Sequence, residues 1–436
     1  MSAGGGTESI TGPQDAGQGS WWRHWLSGEL WGNRDFLHLW AAQSVSLLGT
    51  QITSLALPLV AVLTLEVTPG EMGALRTAQA IPTLLFGFVA GVLIDRLRRR
   101  PVMVWTDLGR AAALATIPLA YAMGSLQLWW LYLVGFVVGT LSLFFDVAYF
   151  SFLPSVVEKE QLVEGNSKLE ISQSGASLLG PSVGGVLVQI MTAPVAIVLD
   201  ALSFVFSAVL LRRIDVVEAP VRPNDSRQRL MSSIREGLAF LWAEPTLRPL
   251  AIGSAFFNFG IGIYGTIGIL YFNRELGLSP AMIGIVVAGF GPGFLLGALL
   301  AGRAGSRLGV GPAIVYATIS SSLWLLLTPL VEGSPRTVTV VLACANVLIG
   351  IGGEVWAINN LSLRQHVTPA HLLGRTNATV RMIAFSTAPL AALVAGVLGE
   401  TVGLRPALFV GACFPFLSAL TLARSPVRRV RTISHA

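Results

Sequence analysis

The stretch Gly91-Val-Leu-Ile-Asp95-Arg96-Leu-Arg98-Arg99-Arg100 separates the second and third long apolar segments of this chain. Gly91 and Asp95 are four residues apart, so they share one face of a helix. Because Gly91 has no side chain, a second helix can approach it closely, and Asp95 at the helix end can meet the positive N-terminus of that helix. The spacing predicts a gate at a membrane surface, although a basic run alone also ends a membrane-spanning helix.

The two halves of the chain are related by a constant step of 211 residues. The step aligns Gly49 with Gly260, Gly91 with Gly302, Arg96 with Arg307, Pro101 with Pro312, Asn166 with Asn377, Gly185 with Gly396 and Arg213 with Arg424. Two related hydrophobic halves can move about a site held between them, which is typical of secondary transporters.

Composition places most of the surface in lipid. Apolar residues make up 53% of the 436 residues, charged residues only 12%, and the mean hydropathy is +0.68, whereas a soluble domain carries about 25% charged residues. The basic residues are spread over short loops between apolar stretches, so we expect no nucleic-acid partner. The two cysteines lie inside apolar stretches and are expected to be small core residues, not a disulfide or metal pair.

Twelve apolar segments follow one another, each about long enough to cross ~30 Å of hydrocarbon as a helix. They lie at 37–63, 73–94, 101–123, 128–150, 171–192, 194–211, 249–271, 281–301, 312–331, 338–360, 378–398 and 405–423. We therefore expect a disordered and interfacial N-terminus (1–36), a first six-helix bundle (37–211), a linker with an amphipathic surface helix (212–248), a second bundle (249–423) and a basic tail (424–436). Most Lys and Arg residues then lie on the cytoplasmic side together with both termini.

Several motifs resemble one transporter family. Gly91 to Arg100 resembles G-x-x-x-D-R-x-x-R-R, the loop signature of the major facilitator superfamily. The segment Gly180-Pro181-Ser-Val-Gly184-Gly185 resembles a signature common among its exporters. Closer resemblance, to the branch with the enterobactin exporter and macrolide efflux proteins, rests on Ser46-Leu-Leu-Gly49, Asp107-Leu-Gly-Arg110, Leu153-Pro154-Ser-Val-Val157, Gly165-Asn166 and Arg235-Glu-Gly-Leu-Ala-Phe240. Thr50 departs from this branch, whose members often carry an acidic residue there.

This resemblance implies an all-α membrane protein with twelve transmembrane helices in two pseudo-symmetric six-helix bundles. It places the second helix against the eleventh and the fifth against the eighth. Two latches on the cytoplasmic side are then expected to hold the outward-open state. Their residues are Gly91, Asp95, Arg96, Arg99, Arg100 and Arg381 in the first, and Glu170, Arg303 and Arg307 in the second. The alternative is that Glu170 and Arg381 are solvated helix ends.

The resemblance also implies that helices 1, 4, 7 and 10 line a central cavity. The candidate substrate residues on them are Gln43, Gln51, Phe145, Asn258, Tyr264, Asn346, Trp356 and Asn359. A largely apolar cavity with scattered hydrogen-bonding groups suits a bulky amphiphile.

Charges within membrane helices are costly, about 2.5–3.5 kcal/mol each, so each one needs an explanation. Glu354 is the first proton-coupling candidate, since Gly350, Gly352 and Gly353 before it leave room for water; a neutral or paired structural Glu is the alternative. Asp146 is the second candidate, although pairing with the Arg96–Arg100 cluster is favoured. Asp107 and Arg110, three apart on one helix, are expected to pair.

Other functional classes find no support. There is no phosphate-binding G-x-x-x-x-G-K-[ST] loop, no acidic cluster suited to a metal and no catalytic grouping around the five histidines. The sequence predicts a secondary transporter of the bacterial inner membrane, without cofactor or metal, that exports amphipathic small molecules in exchange for protons and works as a monomer. The alternatives are a dedicated siderophore or secondary-metabolite exporter, and a transport-inactive membrane scaffold or enzyme.

Overall fold

The computed structural model describes residues 29–216, 218 and 226–431. All regular elements in these ranges are helical. The longer helices are α1 (Arg34–Leu63), α2 (Pro69–Ile94), α3 (Arg99–Ala122), α4 (Leu128–Val156), α5 (Leu162–Met191), α6 (Ala193–Arg212), α7 (Ser226–Ala243), α8 (Leu247–Arg274), α9 (Pro280–Ala288), α10 (Phe290–Leu308), α11 (Val310–Leu327), α12 (Pro335–Val367), α13 (Leu373–Thr401) and α14 (Leu404–Ala423). Most of the predicted N-terminal segment and the last five residues lie outside the described residues.

Local sequence explains where several helices begin. The side chain of Asn33 accepts hydrogen bonds from the amides of Asp35 and Phe36 at the start of α1. Thr68 and Glu71 form a reciprocal capping box before α2. These side chains satisfy backbone amides that have no partner within the helix, which fixes the first turns at the membrane boundary.

Ten helical stretches of the described residues are long and apolar enough to cross a membrane, α9 and α10 counting as one. Helices α2 and α3, of 26 and 24 residues, also have membrane-spanning length and pack within the same bundle. Many large apolar side chains are exposed on the outer surface, such as Leu179 and Leu299. Because water would disfavour such a surface, the protein is a multi-pass membrane protein.

The 211-residue step recurs in the helix boundaries. The starts of α2, α3, α5 and α6 are Pro69, Arg99, Leu162 and Ala193, and the starts of α9, α11, α13 and α14 are Pro280, Val310, Leu373 and Leu404. Packing follows the same rule, since α1 packs against α5 and α6 as α8 packs against α13 and α14. We call α1–α6 the first half and α8–α14 the second half.

The linker helix α7 lies against α13 and the start of α8. The carboxylate of Glu236 pairs with the guanidinium of Arg375 on α13. Gly237 faces the same helix so closely that a Cβ there would lie 2.9 Å from the carbonyl oxygen of Arg375. Helix α7, within the segment expected to be a linker, is therefore fixed to the second half.

Both halves present their arginine-rich loops at one end of the molecule, which we call the basic end; α1 and α8 begin there. At the opposite end the halves touch through glycines. A Cβ on Gly73 of α2 would lie 2.9 Å from Cα of Gly396 on α13, and a Cβ on Gly284 of α9 would lie 3.0 Å from Cα of Gly185 on α5. The 211-residue step exchanges these two contacts, so one pseudo-two-fold axis relates them.

At the basic end, in contrast, the corresponding helix ends are apart. Neither Gly91 at the end of α2 nor Gly302 near the end of α10 has an atom within 4 Å of the position of an added Cβ. The side chains of Asp95 and Arg96 are exposed there. The opposite end is therefore closed by direct helix contact, and the space between the halves widens toward the basic end.

Candidate functional chamber

A chamber of about 840 Å³ lies in the part of the first half nearer the basic end. Its wall comes from α1, α4 and α5, with Arg110 of α3 at the back. The lining residues are Gln43, Ser46, Leu47, Thr50, Arg110, Ser142, Phe145, Asp146, Tyr149, Phe150, Asn166, Ser167, Leu169, Glu170, Ile171 and Gln173. This volume is in the range of small-molecule binding sites, and the wall combines aromatic rings, amides and charges.

The guanidinium of Arg110 is held rigidly in this wall. It pairs with the carboxylate of Asp107 one helical turn earlier, and both side chains are buried. The rings of Phe145 and Phe204 lie on it at 4.3 and 4.1 Å from the guanidinium carbon to the ring centroids, a favourable cation–π geometry. The Asp107–Arg110 pairing predicted from the sequence is confirmed. A charge that already has a partner leaves little positive character for a ligand.

Asp146 lies in the chamber and not at the arginine-rich loop, so the favoured pairing with Arg96–Arg100 is wrong. Its side chain is exposed to the chamber within electrostatic reach of Arg110. The reason is depth, because Asp146 precedes the end of α4 at Val156 by ten residues, or about 15 Å of helix. Arg100 instead donates to the carbonyl oxygens of Leu211 and Arg212.

Glu354 of α12 brings a second acid toward the chamber from the other half. It is half-buried, and Glu170 on the chamber wall is within electrostatic reach of it. Gly297 on α10 makes its position possible, since a Cβ there would lie 2.7 Å from Cβ of Glu354. Two carboxylates within electrostatic reach of each other favour a proton or a cationic group near them.

Asp200 on α6 is a buried acid that the sequence interpretation omitted. Its side chain is 1% exposed and accepts a hydrogen bond from the hydroxyl of Ser203 at 3.1 Å. Gly49 on α1 gives it space, since a Cβ at Gly49 would overlap both side chains. An acid in the middle of an apolar helix is the signal that could have identified it. Since it has no exposure to the chamber in this conformation, its contacts are those of helix packing.

The candidate substrate residues of the first half are Gln43, Gln51 and Phe145, and they have different surroundings. Gln43 and Phe145 line the chamber. Gln51 donates from Nε2 to the hydroxyl of Ser177 on α5 at 3.0 Å, which links α1 to α5. Gln43 and Phe145 thus belong to the chamber wall, and Gln51 supports that wall by linking two of its helices.

In the second half, Trp356 stacks on Phe257 with ring centroids 4.6 Å apart, so α12 and α8 share an aromatic surface. Asn258 beside it is half-buried and donates to the carbonyl oxygen of Ser254 in its own helix.

Three other candidates are buried between helices and are not among the residues that line the chamber in this conformation. The hydroxyl of Tyr264 donates to Oδ1 of Asn346 at 2.9 Å, and Asn346 donates to the carbonyl oxygen of Val286 at 2.7 Å. Asn359 donates to the carbonyl oxygen of Ala301 at 3.2 Å. Buried amides need partners, and here they use backbone groups of α9 and α10 to fix α12 in place.

The predicted latch residues lie at the basic end with exposed side chains, namely Asp95, Arg96, Arg303, Arg307 and Arg381, and Arg99 and Arg100 are half-buried beside them. Glu170 lies deeper, on the chamber wall. The space around Gly91 shows that the helices of the first latch are apart here. The latches were expected in the outward-open state, so they stay a prediction.

The glycines of the helix-5 motif form two contacts at once. Gly180 and Gly184 face α1 at Gln51 and Ile52, while Gly185 faces α9. The carbonyl oxygen of Pro181 lies beside Gly284, 2.5 Å from a Cβ built there. This segment therefore belongs both to the packing of the first half and to the closed end. In the described ranges no cluster of three or more His, Cys, Asp or Glu could hold a metal ion.

Comparison with known proteins agrees with this architecture. A family described as "Transmembrane secretion effector" matches residues 31–435. The macrolide efflux protein A of Streptococcus pyogenes is 24% identical over 85% of this chain and 90% of its own length. The multidrug efflux pump Tap of Mycobacterium tuberculosis (strain ATCC 25618 / H37Rv) is 26% identical over 87% and 91%.

Among solved structures, a bacterial homologue of the iron transporter ferroportin in an inward-facing state superposes with a TM-score of 0.72 at 19% identity, covering 90% of this chain and 98% of that one. This likeness establishes the fold, and the resemblance stated from the motifs is confirmed. The chain belongs to the transmembrane secretion effector family of major facilitator superfamily transporters, which are transporters and not enzymes.

Proposed function

We propose that this protein exports amphipathic small molecules across the bacterial cytoplasmic membrane by alternating access, driven by the proton gradient. The proposal is carried by a chamber of about 840 Å³ in the wall of the first half, in a molecule whose halves touch at one end and are apart at the other. A ligand that entered from the basic end would find Tyr149 and Phe150 for its apolar part and Asp146 for a polar or cationic part. Two relatives, a macrolide efflux protein and a multidrug efflux pump, favour export.

The basic end faces the cytoplasm in this proposal. Short loops rich in Lys and Arg stay on the cytoplasmic side of membrane proteins, and the loop 95–100 and the tail residues Arg428 and Arg429 supply them here. The conformation described is then inward-open. Closing the basic end brings α2 toward α13 and α5 toward α10, and the predicted latch around Asp95 forms as the glycine contacts at the opposite end separate.

Proton coupling is assigned to Glu354 and Asp146. Asp146 of the first half lines the chamber, and Glu354 of the second half is half-buried. Glu170 lies within electrostatic reach of Glu354, so a bound cation or a proton there changes how strongly the two halves repel. Because a cationic substrate and a proton compete for the same carboxylates, each one's binding releases the other, which is the requirement for exchange.

The test is transport by the purified full-length chain in liposomes with an imposed proton gradient, using a fluorescent cationic amphiphile as probe. We expect probe movement against its gradient when the proton gradient is present, and loss of that movement with a protonophore. Matched liposomes with the Asp146→Asn variant separate substrate recognition from leakage. Probe movement that is equal in protein-free and protein-containing liposomes would show that export of this class is not the function.

A further inference from the structure

A second cavity, of about 520 Å³, lies outside the chamber, between α3 and the end of α6 at the basic end. The part of its wall nearer the basic end carries Arg98, Arg100 and Arg212, with Glu218 beside them. The rest of its wall is apolar. All the lining residues are Arg98, Arg100, Pro101, Val104, Trp105, Leu108, Arg212, Val216 and Glu218. None of its lining residues belongs to the chamber wall.

The charged side chains of this cavity differ in whether they form hydrogen bonds or ion pairs within the protein. Arg100 donates to the carbonyl oxygens of Leu211 and Arg212, and Glu218 accepts from the backbone amides of Arg99 and Arg100 at 2.6 and 2.9 Å, at the first turn of α3. Glu218 therefore occupies the positive end of the helix dipole. The guanidinium groups of Arg98 and Arg212 are exposed and pair with no acid among the described residues. The cavity thus keeps a net positive charge.

The wall of the cavity changes from charged to apolar along α3, from the basic end toward the membrane centre. Trp105 and Leu108 follow Arg100 by five and eight residues, about 8 and 12 Å of helix toward the membrane centre. Trp105 is 71% exposed on the outer surface, so this wall faces lipid and not the chamber. A positive rim above an apolar wall that opens to lipid matches a molecule with an anionic head and an acyl tail, and it does not match a free ion.

The second half shows that the fold does not require such a cavity. The 211-residue step replaces Arg98 and Arg100 by Gly309 and Gly311, and the tail after α14 fills the equivalent place. The amides of Val310 and Gly311 donate to the carbonyl oxygens of Arg431 and Val430 at 3.3 and 2.9 Å, and Val427 is fully buried there. Both helix starts are capped, but in the second half the tail itself fills the place that the cavity occupies in the first half, with Arg431 lying against Gly309.

We propose that this cavity binds the phosphate headgroup of an anionic phospholipid from the leaflet at the basic end. Arg98 and Arg212 contact the phosphate from two sides, and the first acyl carbons lie on Trp105 and Leu108. Such a lipid connects the start of α3 with the end of α6. The proposal is independent of substrate, direction and coupling.

Native mass spectrometry of the full-length chain, with phosphatidylglycerol and phosphatidylethanolamine added in turn, tests the site. We expect one tightly held phosphatidylglycerol per chain, bound about 30-fold more weakly after Arg98→Ala with Arg212→Ala, from about 1 kcal/mol for each basic contact. Arg428→Ala with Arg429→Ala removes the same charge from the exposed tail at the same end and is the matched control. Equal weakening by both double variants would overturn the proposal, since diffuse attraction would then suffice.

A second measurement requires no change at the arginines. In nanodiscs, brominated phosphatidylglycerol should quench the fluorescence fraction that Trp105→Phe removes, and brominated phosphatidylethanolamine should quench it less. Equal quenching by both lipids would refute the headgroup assignment. Displacement of the lipid by millimolar inorganic phosphate would assign the site to a free anion instead. Arg98→Lys with Arg212→Lys, which keeps the charge, should retain most of the binding.

Discussion

Adding one methyl group at Gly185 should open the closed end of this transporter. A Cβ there would lie 2.5 Å from the carbonyl oxygen of Pro280, 2.9 Å from Cα of Gly284 and 3.2 Å from Cα of Ala281. All three are backbone atoms of α9, so no side chain can move aside. Ordinary contact begins at 3.4 Å, and α5 and α9 must therefore separate by about 0.9 Å locally.

The size of the effect follows from the cost of overpacking. Forcing a methyl group into a well-packed contact costs about 1–3 kcal/mol, and every 1.4 kcal/mol changes a population ratio about tenfold. Because the contact exists only while the opposite end is closed, the cost falls on the inward-open state alone. We expect Gly185→Ala to shift the ratio of inward-open to outward-open molecules about 5- to 150-fold toward outward-open.

Distances between spin labels can measure this shift. Labels at Ser125 and Arg336, which are related by the 211-residue step, report on the opposite end, and labels at Leu97 and Leu308 report on the basic end. The two native cysteines, both exposed, are replaced first. In the Gly185→Ala variant the first distance should lengthen and the second should shorten.

Gly175→Ala is the control for that experiment. It lies on the same helix and has no atom within 4 Å of an added Cβ, so it makes the same change in helix propensity without the overlap. Unchanged distances in Gly185→Ala, or the same change in Gly175→Ala, would refute the idea that the glycine contact holds the opposite end closed.

Three further changes test other parts of the molecule. Asp95→Lys should lower transport at least tenfold with normal membrane insertion, and Arg381→Asp in the same chain should restore part of it; near-normal transport by Asp95→Lys alone would contradict the latch. Glu354→Gln should abolish proton-driven movement of the probe while probe exchange without a gradient continues, whereas retained proton-driven transport would exclude Glu354 as the carrier. Gly49→Ala should cost about 1–3 kcal/mol by overlap with Asp200, seen as a lower melting temperature in detergent, whereas Gly265→Ala, in open space, should melt unchanged.

Most of the architecture could be predicted because membrane helices leave strong local signals. Apolar length identified ten of the expected spans among the described residues, and the 211-residue step relates helix boundaries such as Ala193–Arg212 and Leu404–Ala423. Apolarity was weaker for α3, where Asp107 and Arg110 interrupt the stretch and pair with each other inside the bundle. Two opposite charges that cancel inside a helix reduce its hydropathy without removing it from the membrane.

The site was less predictable, because depth and rotation of a helix are not visible in its sequence. Asp146 was favoured as a partner of the arginine loop but lies about 15 Å deeper in the chamber wall. Tyr264 and Asn346 were assigned to the cavity because their helices line it, yet they bond to each other in the helix packing. Asp200 is not among the expected functional residues, because its helix is not expected to line the cavity. In each case the depth or the rotation of the helix decides whether a polar group faces the chamber or a neighbouring helix.

The two halves have equivalent glycine contacts where they meet, but their charged residues are not equivalent. The closing contacts are equivalent, Gly73 with Gly396 and Gly284 with Gly185, because a joint between two halves must be small on both sides. The charges are not equivalent, since Asp146 aligns with Ala357 and Glu354 with Leu143. In the proposed cycle, a bound substrate or proton therefore interacts unequally with the two halves. This inequality is what can convert occupancy of a one-sided chamber into a symmetric opening and closing.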